Sequence, residues 1–166
     1  RRPRGMTASR QREQNPAYRP APYFIMTSSL WSIVLAAGQG SRLAEAAGNT
    51  RKQFLSFGGR PLYWRSIMTL AAIPAMRGLV VVFPEAELEA RQLEISELRD
   101  LDTPGVPIIC AIGGQRRQDS VRHGLACVPK EIALVLVHDS ARPFFSTALV
   151  QTMLNVFEPG LGSVIP

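Results

Sequence analysis

Apolar and polar positions change period several times along this chain, and the changes divide it into elements. "WSIVLAA" (31–37), "GLVVVFP" (Gly78–Pro84), "VPIICAIGG" (106–114) and "IALVLVHDS" (Ile132–Ser140) are short, nearly unbroken apolar runs. Such runs predict strands covered on both faces, where neither side alternates with polar residues. Helical spacing separates them. "PLYWRSIMTLAAI" (Pro61–Ile73) has proline at a first helical position and Leu62, Ile67, Leu70 and Ala71 on one stripe. "EAELEARQLEISELRDL" (Glu85–Leu101) predicts a charged amphipathic helix with Leu88, Leu93 (or Ile95) and Leu98 turned inward. "RRQDSVRHGLACV" (116–128) reads as a third helix. "STALVQTMLNVF" (Ser146–Phe157) reads as a fourth, with Ser146-Thr147 as its N-cap signal. "GSVIP" (162–166) reads as the opening of a further strand.

Strands alternating with helices predict an α/β fold: a Rossmann-like, mostly parallel sheet with helices on both faces and right-handed crossovers. Ligands of such sheets bind beyond the carboxyl ends of the strands. Chemistry is therefore expected just after the first, third and fourth runs, where "AAGQGSR", "GGQRRQDS" and "HDSARP" stand.

Composition narrows the classes. The 166 residues leave room for one ordinary domain, and 46% apolar with 19% charged residues is a globular balance. No apolar run is long enough for a membrane span, which predicts a soluble chain. The net charge of +6 is unevenly placed. Residues 1–29 hold six arginines against Glu13, a balance of +5, leaving +1 for residues 30–166. Nucleic-acid binding is thus not a property expected of the folded part. Residues 1–29 read as a disordered basic leader, without the continuous apolar segment of a secretory signal. A transit peptide, a start upstream of Met26 and a cloning leader all fit that composition. Cys110 and Cys127 stand apart, with no CxxC and no histidine at ligand spacing, and are expected to be buried thiols in a reducing compartment.

"GQGSRL" is no dinucleotide fingerprint: Leu43 stands where G-x-G-x-x-G needs its third glycine, and Phe83-Pro84 stands where a ribose-binding acid belongs. No Gly-Lys-Ser/Thr makes it a Walker loop. What remains is a glycine loop with Arg42, whose planar fork suits polyphosphate. Lys52, ten residues on, reads alone as a solvated surface charge and, paired with Arg42, as a second cation for a phosphate under transfer. In "GGQRRQDSVRHGL" Asp119 and Ser120 either cap the following helix or face the ligand, and His123 reads as a surface or packed histidine. Asp139, at the end of a buried strand, reads as a Mg²⁺ or hydroxyl ligand, with an Asp139–Arg142 pair across the turn as the alternative.

In this order, "AAGQGSRL…RKQFLSFGGRPL", "GGQRRQDSVRHGL" and "VLVHDSARPF" resemble the 2-C-methyl-D-erythritol 4-phosphate cytidylyltransferases of the non-mevalonate isoprenoid pathway, over about residues 31–166. The ribitol 5-phosphate cytidylyltransferases share the motifs, but "HDSARP" is nearer the methylerythritol group. The resemblance implies transfer of CMP from CTP to 2-C-methyl-D-erythritol 4-phosphate with release of pyrophosphate and with Mg²⁺ (or another divalent cation) bound. It implies Arg42 and Lys52 as catalytic cations, and Leu35, Ala36, Ala37, Gly38 and Gly40 along the nucleotide. Gly114, Gln115 and Ser120 would meet cytosine, and Ser140 the nucleotide. Asp139 would lie near ribose, metal or second substrate, and Arg142 near the methylerythritol phosphate. The partners implied are CTP and a sugar-alcohol phosphate, with a homodimer or a fusion to the cyclodiphosphate synthase in complete relatives. The setting implied is cytoplasmic, or a plastid if residues 1–29 are a transit peptide. Three features depart from the pattern: Gln115 stands where aspartate is frequent, Arg51 where proline is usual, and the stretch from Arg42 to Lys52 is long. The family also continues past "GSVIP" with a dimerisation arm and further substrate-binding residues. The expectation is a C-terminally truncated nucleotidyltransferase domain whose binding half is present; on that reading a non-catalytic nucleotide-binding fragment is the alternative function.

Overall fold

The computed structural model describes residues 29–38 and 51–157. All but the last residue of the leader expected at 1–29, and the strand expected at 162–166, lie outside the described residues. Four parallel strands form the sheet: β1 (Leu30–Leu35), β4 (Met76–Phe83), β5 (Ile108–Ile112) and β6 (Leu134–Asp139), in the order β5-β4-β1-β6. In register, Leu35 faces Val82 of β4 on one side and Asp139 of β6 on the other. A two-stranded hairpin, β2 (Ser56–Phe57) and β3 (Arg60–Pro61), stands apart from the sheet. The helices are α1 (Leu62–Ala71), α2 (Leu88–Leu101), α3 (Arg117–Ala126) and α4 (Thr147–Val156).

The unbroken apolar runs are explained by two cores. Leu30, Val34, Leu79, Val81 and Phe83 point to one face, packed by α1, α2 and α4. Trp31, Ile33, Leu35, Val80 and Val82 point to the other, packed by Val121 of α3 and the chain leading into β6. Handedness accounts for the split. The steps β1→β4→β5 run one way across the sheet, so right-handed crossovers put α1 and α2 on one face. The step β5→β6 runs back past β1, which puts α3 on the other. That reversal makes the β1/β6 boundary the topological switch point.

Three expectations change. On α2, Leu93 is 64% exposed, while Ile95 and Leu98 are buried and Leu88 packs partly against the core; the stripe runs through Ile95, not Leu93. The β2–β3 hairpin is not among the elements expected. Its turn is Gly58-Gly59 with φ of +61° and +76°, a backbone that glycine adopts without a Cβ clash. Cys110 and Cys127 are free thiols, both half-buried rather than buried. Burial pushes the Cys110 thiol up to about 11, which keeps it inert near neutral pH.

Candidate active site

A cavity of about 350 Å³ opens beyond the carboxyl ends of β1 and β6, at the switch point. That is the lower range for a small-molecule site. Its floor is where the two strands end. The Ser140 hydroxyl and backbone N–H both donate to the Leu35 carbonyl, at 2.7 and 3.1 Å, and Ser140 is only 1% exposed. The Ser140 hydroxyl therefore stitches β6 to β1. Leu35, Ala37 and Gly38 form the β1 side of the wall. Ala36 is fully buried behind them, its N–H bonded to the Val82 carbonyl at 2.8 Å.

The opposite wall is the turn from β5 into α3. Gly113 donates to the Phe83 carbonyl at 2.7 Å, and a Cβ there would collide with the Ala37 Cβ. The glycine is required by close approach of the two walls. The Gly114 N–H donates to Ser120 Oγ at 3.0 Å, so the buried Ser120 hydroxyl braces the turn from below. Asp119 is committed to the helix start. Its Oδ2 accepts from the Arg116 backbone N–H (3.2 Å) and Nε (3.0 Å), and its Oδ1 from Arg116 Nη2 (3.0 Å). The Arg116 guanidinium holds this carboxyl below the usual aspartate range. Of the two readings open in the sequence for Asp119, capping is the one the geometry takes. Gln115 is exposed on the rim. His123 is exposed on α3, its Nδ1 2.9 Å from the Ile112 carbonyl, which makes that nitrogen the donor.

Asp139 and Arg142 close the third side of the cavity. The side chain paired with Asp139 is not Arg142 but Arg117 from the first turn of α3, with Nε 3.1 Å from Oδ1. Arg142 donates its backbone N–H to the Asp139 carbonyl at 3.0 Å, which shapes the turn. Arg116, Arg117 and Arg142 line the cavity; Asp119 balances the first and Asp139 the second, which leaves the charge of Arg142 in surplus. The site is cationic and suits an anion.

Three further residues expected at the site are not among those described on the wall. Gly40 and Arg42 lie outside the described residues. Lys52 is exposed at the start of a short 3₁₀ turn, Lys52–Phe54, and is not part of the wall. Its neighbour Gln53, not among the residues expected at the site, is part of the wall and 3% exposed. Gln53 Nε2 donates to the carbonyls of Ala36 (2.8 Å) and Gly38 (2.9 Å). Arg51 is ion-paired with Glu87 at 3.2 Å, and the Arg91 guanidinium lies 4.4 Å from the Phe54 ring. The only sequence signal for Gln53 is an uncharged amide between a lysine and an apolar stretch. In the sequence Arg117 is one of three arginines, with Arg116 and Arg122, and nothing in that stretch marks it as the one that meets Asp139. Among the described residues no group of three or more His, Cys, Asp or Glu side chains gathers as a metal cage.

The chain is similar to known proteins in this same region. The family model "IspD: 2-C-methyl-D-erythritol 4-phosphate cytidylyltransferase" matches residues 30–166. A "Bifunctional enzyme IspD/IspF" of Solidesulfovibrio magneticus is 47% identical over 138 residues, covering 83% of this chain and 34% of that protein. A "2-C-methyl-D-erythritol 4-phosphate cytidylyltransferase" of Xanthomonas euvesicatoria is 35% identical over 140 residues, covering 79% and 47%. The chain therefore spans between a third and a half of the length of these relatives. The crystal structure of a 4-diphosphocytidyl-2C-methyl-D-erythritol synthase from Anaerococcus prevotii superposes with a TM-score of 0.62 at 22% identity, over 80% of this chain and 52% of that one. At that identity it shows the fold, a nucleotidyltransferase-type α/β sheet.

Proposed function

The chain belongs to the IspD family of cytidylyltransferases, and from that premise we propose that it carries the nucleotide-binding half of an enzyme moving CMP from CTP to 2-C-methyl-D-erythritol 4-phosphate. The observation that carries this is the cavity at the β1/β6 switch point. Three stretches distant in sequence, Leu35–Gly38, Gly114–Ser120 and Asp139–Arg142, converge there around an arginine-rich opening. In the reaction a phosphate oxygen of the second substrate forms a bond to the α-phosphorus of CTP. The bond from that phosphorus to the oxygen bridging to the β-phosphate breaks, and pyrophosphate leaves. A phosphomonoester dianion is already nucleophilic, so positioning and charge neutralisation are the levers. Gly38, with open space where a Cβ would stand, leaves the end of β1 free for the nucleotide, while Arg117 and Arg142 face its negative charge. Arg42 and Lys52 complete the cationic surround in this reading.

A divalent cation fits the donor chemistry in one respect. Magnesium in such sites is held by one or two carboxylates together with substrate phosphates, and Asp139 is the one carboxylate on the wall. It would supply neutralisation of the triphosphate charge. The same reading places the protein in the cytoplasm and joins it to an IspF partner, supported by bifunctional IspD/IspF relatives at 40–47% identity. Among the described residues no helix is long and apolar enough to cross a membrane. The test is pyrophosphate release by the intact protein given CTP, Mg²⁺ and 2-C-methyl-D-erythritol 4-phosphate. Release that needs ribitol 5-phosphate instead moves the second substrate, and CTP binding without release with either leaves a nucleotide-binding fragment.

A further inference from the structure

Gln53 is a buried polar group that the chemistry above does not use. Its Nε2 commits both hydrogens to backbone, to Ala36 O at 2.8 Å and Gly38 O at 2.9 Å. These acceptors bracket Ala37, which lies on the cavity wall. A trans peptide sets its N–H opposite its C=O, so drawing the Ala36 carbonyl onto Gln53 turns the Ala37 N–H away from it. Without that clamp, two carbonyls at the edge of a cationic cavity lose their donor. Turned inward, they would present negative dipole ends to an arriving anion. The clamp also has a second end. Gln53 follows Lys52 directly in the same short turn, and Arg51 on the other side is ion-paired with Glu87. The backbone of Lys52 is therefore held between two anchored residues, one of which is tied to Gly38.

We propose that Gln53 is a positioning residue for an anion site at the end of β1: its carboxamide withdraws the Ala36 and Gly38 carbonyls from the cavity and fixes Lys52 relative to Gly38. The inference deepens the nucleotide reading. It rests on that reading for the identity of the anion, not for the existence of the anion site.

The test titrates inorganic triphosphate and, separately, CTP into the intact protein, as wild type, Gln53→Met and Gln53→Glu. Methionine keeps the volume and removes both donors; glutamate adds a charge that repels both carbonyls. Losing buried hydrogen bonds of this kind corresponds to about tenfold in affinity, so Gln53→Met is expected to bind both probes about tenfold more weakly and Gln53→Glu more weakly still. A folded Gln53→Met that binds triphosphate within twofold of wild type overturns the proposal, even with lowered thermal stability. Wild type that binds triphosphate but not CTP overturns the nucleotide reading and leaves Gln53 to be decided on triphosphate alone. Binding of neither overturns both. Should the variants not fold, NMR of the wild type decides. The Gln53 side-chain N–H pair is expected to exchange slowly and the Ala37 amide to shift on adding triphosphate. Free exchange of the former, or an unmoved Ala37, overturns the proposal.

Discussion

On the β1 side of the cavity the chain is held by neutral hydrogen bonds out of water: Gln53 to Ala36 and Gly38, and Ser140 to Leu35. On the β5–α3 side it is dressed with exposed ion pairs, Arg116 with Asp119 and Arg117 with Asp139. The two kinds of bond behave differently when disturbed. A buried hydrogen bond that loses one partner leaves the other desolvated, which costs about 1–3 kcal/mol. An exposed pair is screened by water and salt and contributes about 0–1 kcal/mol. The first kind keeps a backbone in place; the second can be exchanged for a ligand's charge without unfolding anything. The cavity thus has one wall built for geometry and one built for exchange.

The contact between the walls is where the largest effect is expected. In Gly113→Ala the new Cβ meets the Ala37 Cβ and comes within 3.3 Å of the Phe83 carbonyl oxygen, neither of which is the end of a flexible side chain. Overpacking of this sort costs about 1–3 kcal/mol, and the upper end is expected here because one obstacle is the short Ala37 side chain just past β1 and the other is the backbone of β4. Urea unfolding measures it. A loss below about 0.5 kcal/mol would mean that the walls slide past each other and that the division between them is not fixed by packing.

Ser140→Ala is the next step down. The Leu35 carbonyl keeps the Ser140 backbone N–H at 3.1 Å, so the acceptor is not orphaned. The expected loss is about 1 kcal/mol, that of one ordinary hydrogen bond. A loss near 3 kcal/mol would show that at the strand ends the hydroxyl carries more of the junction than the Ser140 backbone N–H does.

A pH-dependent effect probes the buried side from beneath. His138 packs against Phe145 with ring centroids 4.4 Å apart, and its Nε2 lies 3.1 Å from Ser66 Oγ on α1. Burial holds its pKa below the usual 6.5, the nearby Asp139 charge opposing that shift and Arg142 adding to it. The folded state binds its proton less readily than the unfolded chain, so stability is complete above about 6.5 and falls as the pH drops toward the depressed value. Unfolding midpoints measured at pH 7.5 and 5.5 are expected to differ in that direction, with the slope reduced in His138→Gln. An unchanged slope in that variant would assign the acid sensitivity to other groups.

Much of this was legible in the sequence because the sheet is buried on both faces. A strand such as Leu79–Phe83, apolar at every position, has no other natural place in an α/β chain, and "HDSARP" following such a strand could only lie at its carboxyl end. The topology then brought the motifs to one cavity. Residues whose partners are backbone atoms were not legible. Gln53 bonds two carbonyls 15 and 17 residues away, and every residue has a carbonyl, so no pairing of side-chain types marks the contact. The β2–β3 hairpin was lost for a related reason. Its strands are two residues each, too short for a period to show, though the Gly58-Gly59 pair was a usable turn signal. On α2, Leu93 and Ile95 fit the spacing almost equally well, and only packing against β4 and β5 chooses Ile95.

The exposed wall offers the smallest effect on stability and the sharpest contrast. The Arg117 and Asp139 side chains are 61% and 42% exposed, and their single 3.1 Å contact is not bidentate. Arg117→Ala is therefore expected to change unfolding free energy by about 0.5 kcal/mol or less. Triphosphate binding should respond far more, weakening several-fold, with a shallower dependence on salt than wild type because one screened cation has been removed. Gln53→Met should lose affinity while keeping the wild-type salt slope, since no charge has gone. If Arg117→Ala costs more than about 1 kcal/mol, the pair is a structural tie between α3 and β6, and the exchangeable wall does not exist. If instead both variants lose affinity with the same altered salt slope, Gln53 acts through the electrostatics of the cavity and not through the placement of two carbonyls.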